Sequence, residues 1–430
     1  MTIPAQHAPD ISSDNLDSSR LRRLRAALQA DQAGAVQAFW EQIAAEGAPL
    51  IEPCADDPRM CTVTFVWREQ PHDDLRAVLV VINTFSDRYR HNNDLTPCLM
   101  TRLAGTDVWY RSFRLHADLR ASYQLLPYDR HRADLVIASG ADRAAWRQVL
   151  TSAIPDPLNP RTIPGASGRP PSSMLELPAA PAQPWCVAQP QHPTGSISEH
   201  VVRSAILDNQ RRVWVYTPPG HHAGNGPYDL LVLFDGAVWG HEIPIAPTLD
   251  NLIAAGHIPP LIAILPDAID TTTRVRELAC HAPFIDFLVD ELLPWTAARW
   301  PITADPARTI VAGQSFGGLT AAFAGFHAPE RFGNVLAQSG SFWWQDGGDF
   351  DRNAEWLTRQ FAIQPRLPLH FYVEVGLQEW MLLAANRHLR DVLEAREYDL
   401  SYREYNGGHD YLCWRGGLAD GLLALTQRWI

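Results

Sequence analysis

Residues 308–326 read R-T-I-V-A-G-Q-S-F-G-G-L-T-A-A-F-A-G-F. A β-branched run, a turn of small residues and an apolar helix follow one another, with Ser315 at the apex. Gly313 precedes it and Gly317 and Gly318 follow. The pattern G-Q-S-F-G satisfies G-x-S-x-G in the context that the motif requires, where a strand ends and a helix begins. A serine placed there sits on a strained turn with its hydroxyl held above the sheet edge. The small neighbours avoid clashes with the adjoining strand and helix, and the helix N-terminus supplies a positive field and open N–H groups. The competing reading is a glycine-rich strand-to-helix turn with an incidental serine.

The surroundings fit the first reading. From about residue 196 onward, near-continuous apolar strands alternate with helical segments. Y-D-L-L-V-L-F-D-G (228–236), P-L-I-A-I-L-P-D-A (260–268), N-V-L-A-Q-S-G-S (334–341), L-H-F-Y-V-E-V-G (369–376) and S-Y-R-E-Y (401–405) read as strands. Such runs predict a mostly parallel sheet covered on both faces, an α/β-hydrolase domain over 196–430. Upstream the pattern differs. Residues 1–34 read as a polar segment with a short helix, its first 15 residues expected to be disordered. Residues 35–155 carry a second helical pattern through Phe39, Trp40 and Ile43, then short alternating runs: C-T-V-T-F-V-W-R, A-V-L-V-V-I-N-T, D-V-W-Y-R-S-F-R-L and A-S-Y-Q-L-L-P-Y. These predict a smaller all-β sandwich. Residues 156–195 are dense in proline and read as a semi-rigid linker.

Composition bounds the function. The chain has 430 residues, 46 % hydrophobic and 20 % charged, with a formal net charge of −12. That balance disfavours non-specific binding to nucleic acid or anionic membranes. The start lacks a basic and apolar signal pattern, no run approaches a membrane-spanning length, and six cysteines lie scattered without C-x-x-C spacing. A cytoplasmic protein with reduced thiols is expected.

A serine hydroxyl needs a base. The histidine expected to serve is His409, in Y-N-G-G-H-D-Y-L-C-W-R-G-G-L, after the last strand and before the last helix; the order Ser, acid, His suits this fold. His221 and His222 fall in an exposed-looking loop and carry little weight. The acid is expected just past the preceding strand, at Glu379, with Glu374 inside that strand as the alternative. Backbone N–H groups of Phe316 and Gly236 are the expected oxyanion hole. Arg274 and Arg276 follow a strand end and are expected to face one cleft in an extended loop, binding an anionic ligand; a surface salt bridge with Asp270 or Glu277 is the competing reading. Trp239, Trp343, Trp344 and Trp380 also follow strand ends, and core packing competes with ligand stacking as the role of each. No metal and no cofactor is expected.

The stretches F-D-G-A-V-W, D-A-I-D-T-T-T-R, V-A-G-Q-S-F-G-G-L-T-A, P-E-R-F-G-N-V-L-A-Q-S-G-S-F-W-W and G-G-H-D-Y-L-C-W-R-G-G-L closely resemble the enterochelin (ferric enterobactin) esterase family, esterase D-like α/β-hydrolases. F-W-E-Q-I-A-A-E-G-A-P-L-I-E, R-L-A-G-T-D-V-W-Y, A-S-Y-Q-L-L-P and D-P-L-N-P-R extend the resemblance, which covers about residues 35–160 and 200–430. It implies an immunoglobulin-like N-terminal domain that helps to shape the substrate site. It also implies a cytoplasmic esterase that cuts the serine trilactone of a ferric catecholate siderophore, so that iron is released. The family's serine and histidine match Ser315 and His409. Its G-I-x-E stretch reads G-L-Q-E here and supports Glu379, and its T-T-x-R arginine matches Arg274. Where the family often has histidine two residues later, this chain has Arg276, a departure that bears on substrate preference. The rival readings are another carboxylesterase or an acyltransferase of the same fold, and a non-catalytic siderophore- or glycan-binding protein.

Overall fold

The computed structural model describes residues 18–71, 73–129, 142–222, 224–345 and 354–429. The stretch expected to be disordered at the start lies outside them. The chain divides into two compact units, one of residues 183–405 and 414–430 and the other of residues 2–182 and 406–413.

In the N-terminal unit the alternating runs become strands. These are β1 (Leu50–Pro53), β2 (Met60–Arg68), β3 (Leu75–Ile82), β4 (Thr101–Arg102), β5 (Val108–His116) and β6 (Arg120–Asp129), with β7 (Thr162–Ile163) and β8 (Ser172–Glu176) after them. They form two antiparallel four-stranded sheets, in the orders β1-β2-β5-β4 and β3-β6-β8-β7. Alternation puts Val63 and Phe65 of β2, Val78 and Val80 of β3, Phe113 of β5 and Tyr123 and Leu125 of β6 into one shared core. Phe65 sits edge-on to Tyr123 with ring centroids 4.8 Å apart. The unit is not all strand. Helices Ser19–Gln29 and Ala35–Glu46 pack Leu21, Leu24, Phe39, Trp40 and Ile43 against Val66 and Val108, and helices Asn83–His91 and Arg143–Leu150 also lie within it.

The proline-rich stretch expected as a linker contains β7 and β8, and β8 pairs with β6 through Arg120↔Glu176 to Tyr123↔Ser173. Prolines flank β8 and leave its interior free to pair. Buried groups anchor the stretch as well: Tyr123 Oη donates to Asp156 Oδ2 at 2.8 Å, and Asn159 Nδ2 donates to Met174 O at 2.9 Å. Hydrogen bonds between distant positions have no local signature, so composition alone pointed to a linker.

The C-terminal unit is a mixed sheet of eight strands. They are β9 (Ser196–Ser204), β10 (Asn209–Thr217), β11 (Asp229–Leu233), β12 (Leu261–Pro266), β13 (Thr309–Gln314), β14 (Asn334–Gln338), β15 (His370–Gly376) and β16 (Asp399–Tyr405). The order is β16-β15-β14-β13-β11-β12-β10-β9. The strands from β16 to β12 run parallel, whereas β10 pairs antiparallel to both β12 and β9. β11, β12, β13 and β14 are buried along their whole length, which explains their unbroken apolar reading. β11 is followed by β12 on one side and by β13 on the other. The crevice beyond the carboxyl ends of β11 and β13 is therefore the topological switch point, where open α/β sheets bind ligands.

Candidate active site

Ser315 joins β13 to the helix Phe316–His327 with φ 59° and ψ −121°. A residue with a Cβ reaches that region only under strain. The surroundings hold it there. Ser315 N donates to Gln338 O at 3.1 Å, and Ser315 O accepts from Leu319 N at 3.1 Å and Ser341 N at 2.9 Å. A Cβ on Gly313 would lie 2.5 Å from the carbonyl group of Gly317, and one on Gly318 would lie 3.1 Å from Gly340 Cα. Gly317 is under less pressure, its nearest such neighbour being Phe234 Cβ at 3.5 Å. The Ser341 hydroxyl, buried and unsuspected from sequence, lies 3.4 Å from Ser315 Oγ. Phe316 opens the helix, so its N–H has no intrahelical acceptor.

The turn after β11 is equally constrained. Asp235 has φ 61°, and a Cβ on Gly236 would fall 2.1 Å from Leu265 O. Arg274 grips Asp235 with two bonds, Nε to Oδ1 at 2.6 Å and a terminal nitrogen to Oδ2 at 2.7 Å, and the same nitrogen lies 3.5 Å from Gln314 O. One guanidinium thus ties the turn after β11 to the residue before Ser315. The segment expected to be extended is a helix, Thr271–Glu277, capped by Asp270. Residues two apart on a helix point about 200° apart, so Arg274 and Arg276 do not share a direction. Arg276 is 58 % exposed and pairs at 3.4 Å with its neighbour Glu277, which is itself buried against Arg211 at 2.8 Å. The 2-apart spacing alone could not separate the two arginines, because helix and extended loop predict opposite geometries.

Past β15, Glu379 is buried and receives hydrogen bonds from Ser339 Oγ at 2.5 Å and Gly376 N at 2.9 Å, with Tyr405 Oη at 3.5 Å. Trp414 Nε1 donates to the same Ser339 Oγ at 3.0 Å. His409 belongs to the segment 406–413 that folds with the N-terminal unit. There its carbonyl accepts from Asn83 Nδ2 at 2.6 Å, and the neighbouring Asp410 carboxylate accepts from Ser122 N at 2.5 Å. Of the tryptophans, Trp239 is 1 % exposed and its Nε1 donates to Gln314 Oε1 at 2.9 Å, which makes it wall and not ligand surface. Trp343 stands edge-on to Phe316 and Trp344 edge-on to Trp356, both half-buried, as is Trp380.

Beneath the ends of β13, β14 and β15 runs a buried row of polar side chains. Gln314 Nε2 donates to Gln338 Oε1 at 2.8 Å, Gln338 Nε2 donates to Glu374 Oε1 at 2.6 Å, and Tyr372 Oη donates to Glu374 Oε2 at 2.8 Å. Gln314, Gln338 and Glu374 are successive cross-strand partners, so the sheet register builds the row. Burial pushes the Glu374 carboxyl up from 4.5 to about 7. The folded protein thus retains a proton that the unfolded chain gives up near its ordinary value. Stability is then expected to fall as pH rises from about 4.5 to about 7, by about 2–4 kcal/mol from this group. Urea midpoints across that range are expected to flatten in Glu374→Gln, which keeps a hydrogen-bonding amide without the charge.

Comparison with known proteins bears on this geometry. Residues 62–186 match the family model described as enterochelin esterase, N-terminal, and residues 204–425 match that described as putative esterase. The chain is 40 % identical to the iron(III) enterobactin esterase of Escherichia coli O6:H1 over 86 % of this chain and 92 % of that protein. It is 38 % identical to the protein of that name from Dickeya dadantii, over 94 % of each chain. The crystal structure of the ferric enterobactin esterase from Salmonella typhimurium aligns with a TM-score of 0.80 at 37 % identity, covering 91 % of this chain and 99 % of that one. The enterobactin esterase from Shigella flexneri, in the presence of enterobactin, aligns with a TM-score of 0.77 at 36 % identity over 93 % and 100 %. The strained serine turn at the switch point and these similarities converge: the chain belongs to the enterochelin esterase family, whose members are hydrolases acting on ester bonds.

Proposed function

We propose that this chain is a cytoplasmic serine esterase that hydrolyses the trilactone backbone of a ferric catecholate siderophore of the enterobactin type, so that iron is released. The carrying observation is the strained Ser315 turn at the sheet's switch point, in a chain 40 % identical to an iron(III) enterobactin esterase. The strand order supports reading the C-terminal unit as an α/β-hydrolase, and two antiparallel sheets around one core support an immunoglobulin-like N-terminal unit. The scattered cysteine usage suits a reducing compartment.

In this reading Ser315 Oγ attacks a lactone carbonyl while His409 accepts its proton. The negative charge that forms on the carbonyl oxygen is met by the N–H groups of Phe316 and Gly236. His409 then gives the proton to the departing serine alkoxide, and water releases the acyl group from Ser315 by the same steps in reverse. Glu379 orients His409 and stabilises its charged form. Its position past the strand end favours it over Glu374, whose two oxygens are already taken by Gln338 and Tyr372 within the sheet. Trp343, Trp344 and Trp380, half-buried, offer ring surface to the catecholates.

The two arginines take different roles. Arg276 is the exposed cation for a trianionic ferric complex. Arg274 is a positioning residue, because Asp235 already neutralises it and it braces the turn that carries Gly236.

Mass spectrometry of a ferric catecholate trilactone incubated with the protein tests the reading, with and without an added alcohol to expose acyl transfer. Ser315→Ala is expected to lose at least a thousandfold in kcat while still binding the complex, and Glu379→Gln to lose less than His409→Ala. Near-normal turnover by Ser315→Ala sinks the serine mechanism.

For the arginines, Arg276→Ala is expected to raise KM for the ferric complex about 3–10-fold, an effect that added salt diminishes. Arg274→Ala is expected to lower kcat on both the ferric complex and p-nitrophenyl butyrate, because it leaves the Asp235 carboxylate buried and unpaired. Steady-state kinetics on the two substrates at low and high salt separate the roles.

A further inference from the structure

Ile269 breaks two local rules at one position. It is a β-branched residue held at φ 67°, in the left-handed region where such side chains are genuine outliers. It is also a large apolar side chain left 41 % exposed. Glycine would take the same turn with less strain, and a polar side chain would suit the exposure. The turn itself is firmly held. Asp270 N donates to Ala268 O at 2.8 Å across Ile269, and Asp270 Oδ1 accepts from Thr273 N at 2.7 Å to start the helix Thr271–Glu277.

The location gives the violation meaning. Ile269 follows the carboxyl end of β12 by three residues, beside β11, whose own end carries Asp235 and Gly236. The residue before it, Ala268, lines a small cavity together with Asp235 and Arg274. Val275, on the helix that follows, is a second exposed apolar side chain at 46 %, and Arg276 beside it is the exposed cation. Two exposed apolar side chains and an exposed guanidinium within one short segment suit one class of ligand group, an aromatic ring bearing negative charge. Strain kept at the rim of a ligand crevice is a mark of a contact that the fold maintains for binding.

We infer that Ile269 is a specificity-determining residue whose side chain, offered by its strained turn, packs against one aromatic ring of the substrate. The inference rests on the esterase reading above and deepens it. Three variants separate contact from strain. Ile269→Asn removes the β-branch that the turn strains and the apolar surface with it. It is expected to raise KM for the ferric catecholate trilactone at least fivefold, with kcat within twofold and a thermal midpoint no lower than the parent's. Its loss on the trilactone is expected to exceed its loss on p-nitrophenyl butyrate at least threefold. Ile269→Val keeps both strain and apolar surface and is expected to hold KM within twofold. Ile269→Gly is expected to follow asparagine. An unchanged KM in the asparagine and glycine variants overturns the inference. So does an equal loss in valine and asparagine, or a loss shared by both substrates with a lowered midpoint, because each marks a purely structural turn. If the unmodified protein leaves the trilactone intact, the esterase reading fails on its own. Quenching of tryptophan fluorescence by 2,3-dihydroxybenzoylserine, in Ser315→Ala with and without Ile269→Asn, then still decides: equal affinities overturn the contact and weaker binding in the double variant upholds it.

Discussion

The left-handed backbone of Ser315 is the constraint around which the C-terminal unit is organised. A serine at φ 59° is not a conformation that a free chain adopts, and it persists because its neighbours leave no alternative. Gly313 is pressed against the Gly317 carbonyl, Gly318 against β14 and Gly340, and the Ser315 amide and carbonyl are bound to Gln338 and Ser341. β13, β14 and the helix Phe316–His327 must all be in register for those contacts to exist. The strain is thus distributed over a large buried core, which holds the turn in place.

Charges around that turn are arranged by the same logic. Asp235 and Arg274 form a two-pronged pair that braces the turn after β11, and Glu277, on the same short helix as Arg274, is held by the deeply buried Arg211. Arg211 in turn lies over the rings of Phe284 and Phe287 at 5.3 and 4.8 Å. A buried pair of this kind is costly to break because the remaining charge stays desolvated, so it fixes geometry more than it adds stability. The row Gln314–Gln338–Glu374 does for adjacent strands what Arg274 does for the loop: each amide has one satisfied orientation, and the strand register dictates it.

Legibility in the sequence followed the range of the interactions. The parallel strands were readable because full burial leaves a continuous apolar run, as in Leu230–Leu233 or Ile310–Ala312, and Ser315 because glycine spacing records a close backbone approach. β8 was not readable, because a five-residue strand between prolines carries the composition of a linker and declares itself only by pairing with β6. The antiparallel β9 was equally silent, a half-exposed polar strand at the sheet edge, and β10 opens on the polar run Asn209–Arg212 before its buried stretch Val213–Tyr216. Arg274 and Arg276 looked alike in the chain. Their difference appears only once the segment is helical and Asp235 is brought to one of them.

By itself the sequence determined the mostly parallel sheet of the C-terminal unit, the position of its strained serine, and kinship with the enterochelin esterases. These are recorded in local spacing and in apolar periodicity, which short-range sterics and burial enforce residue by residue. Tertiary structure alone decided which carboxylates are spoken for, which arginine is braced and which is exposed, and that Trp239 is wall. Those outcomes depend on contacts between residues tens to hundreds of positions apart. A hydrogen bond or ion pair at that range leaves no periodicity behind, since either partner satisfies its own local rules without the other.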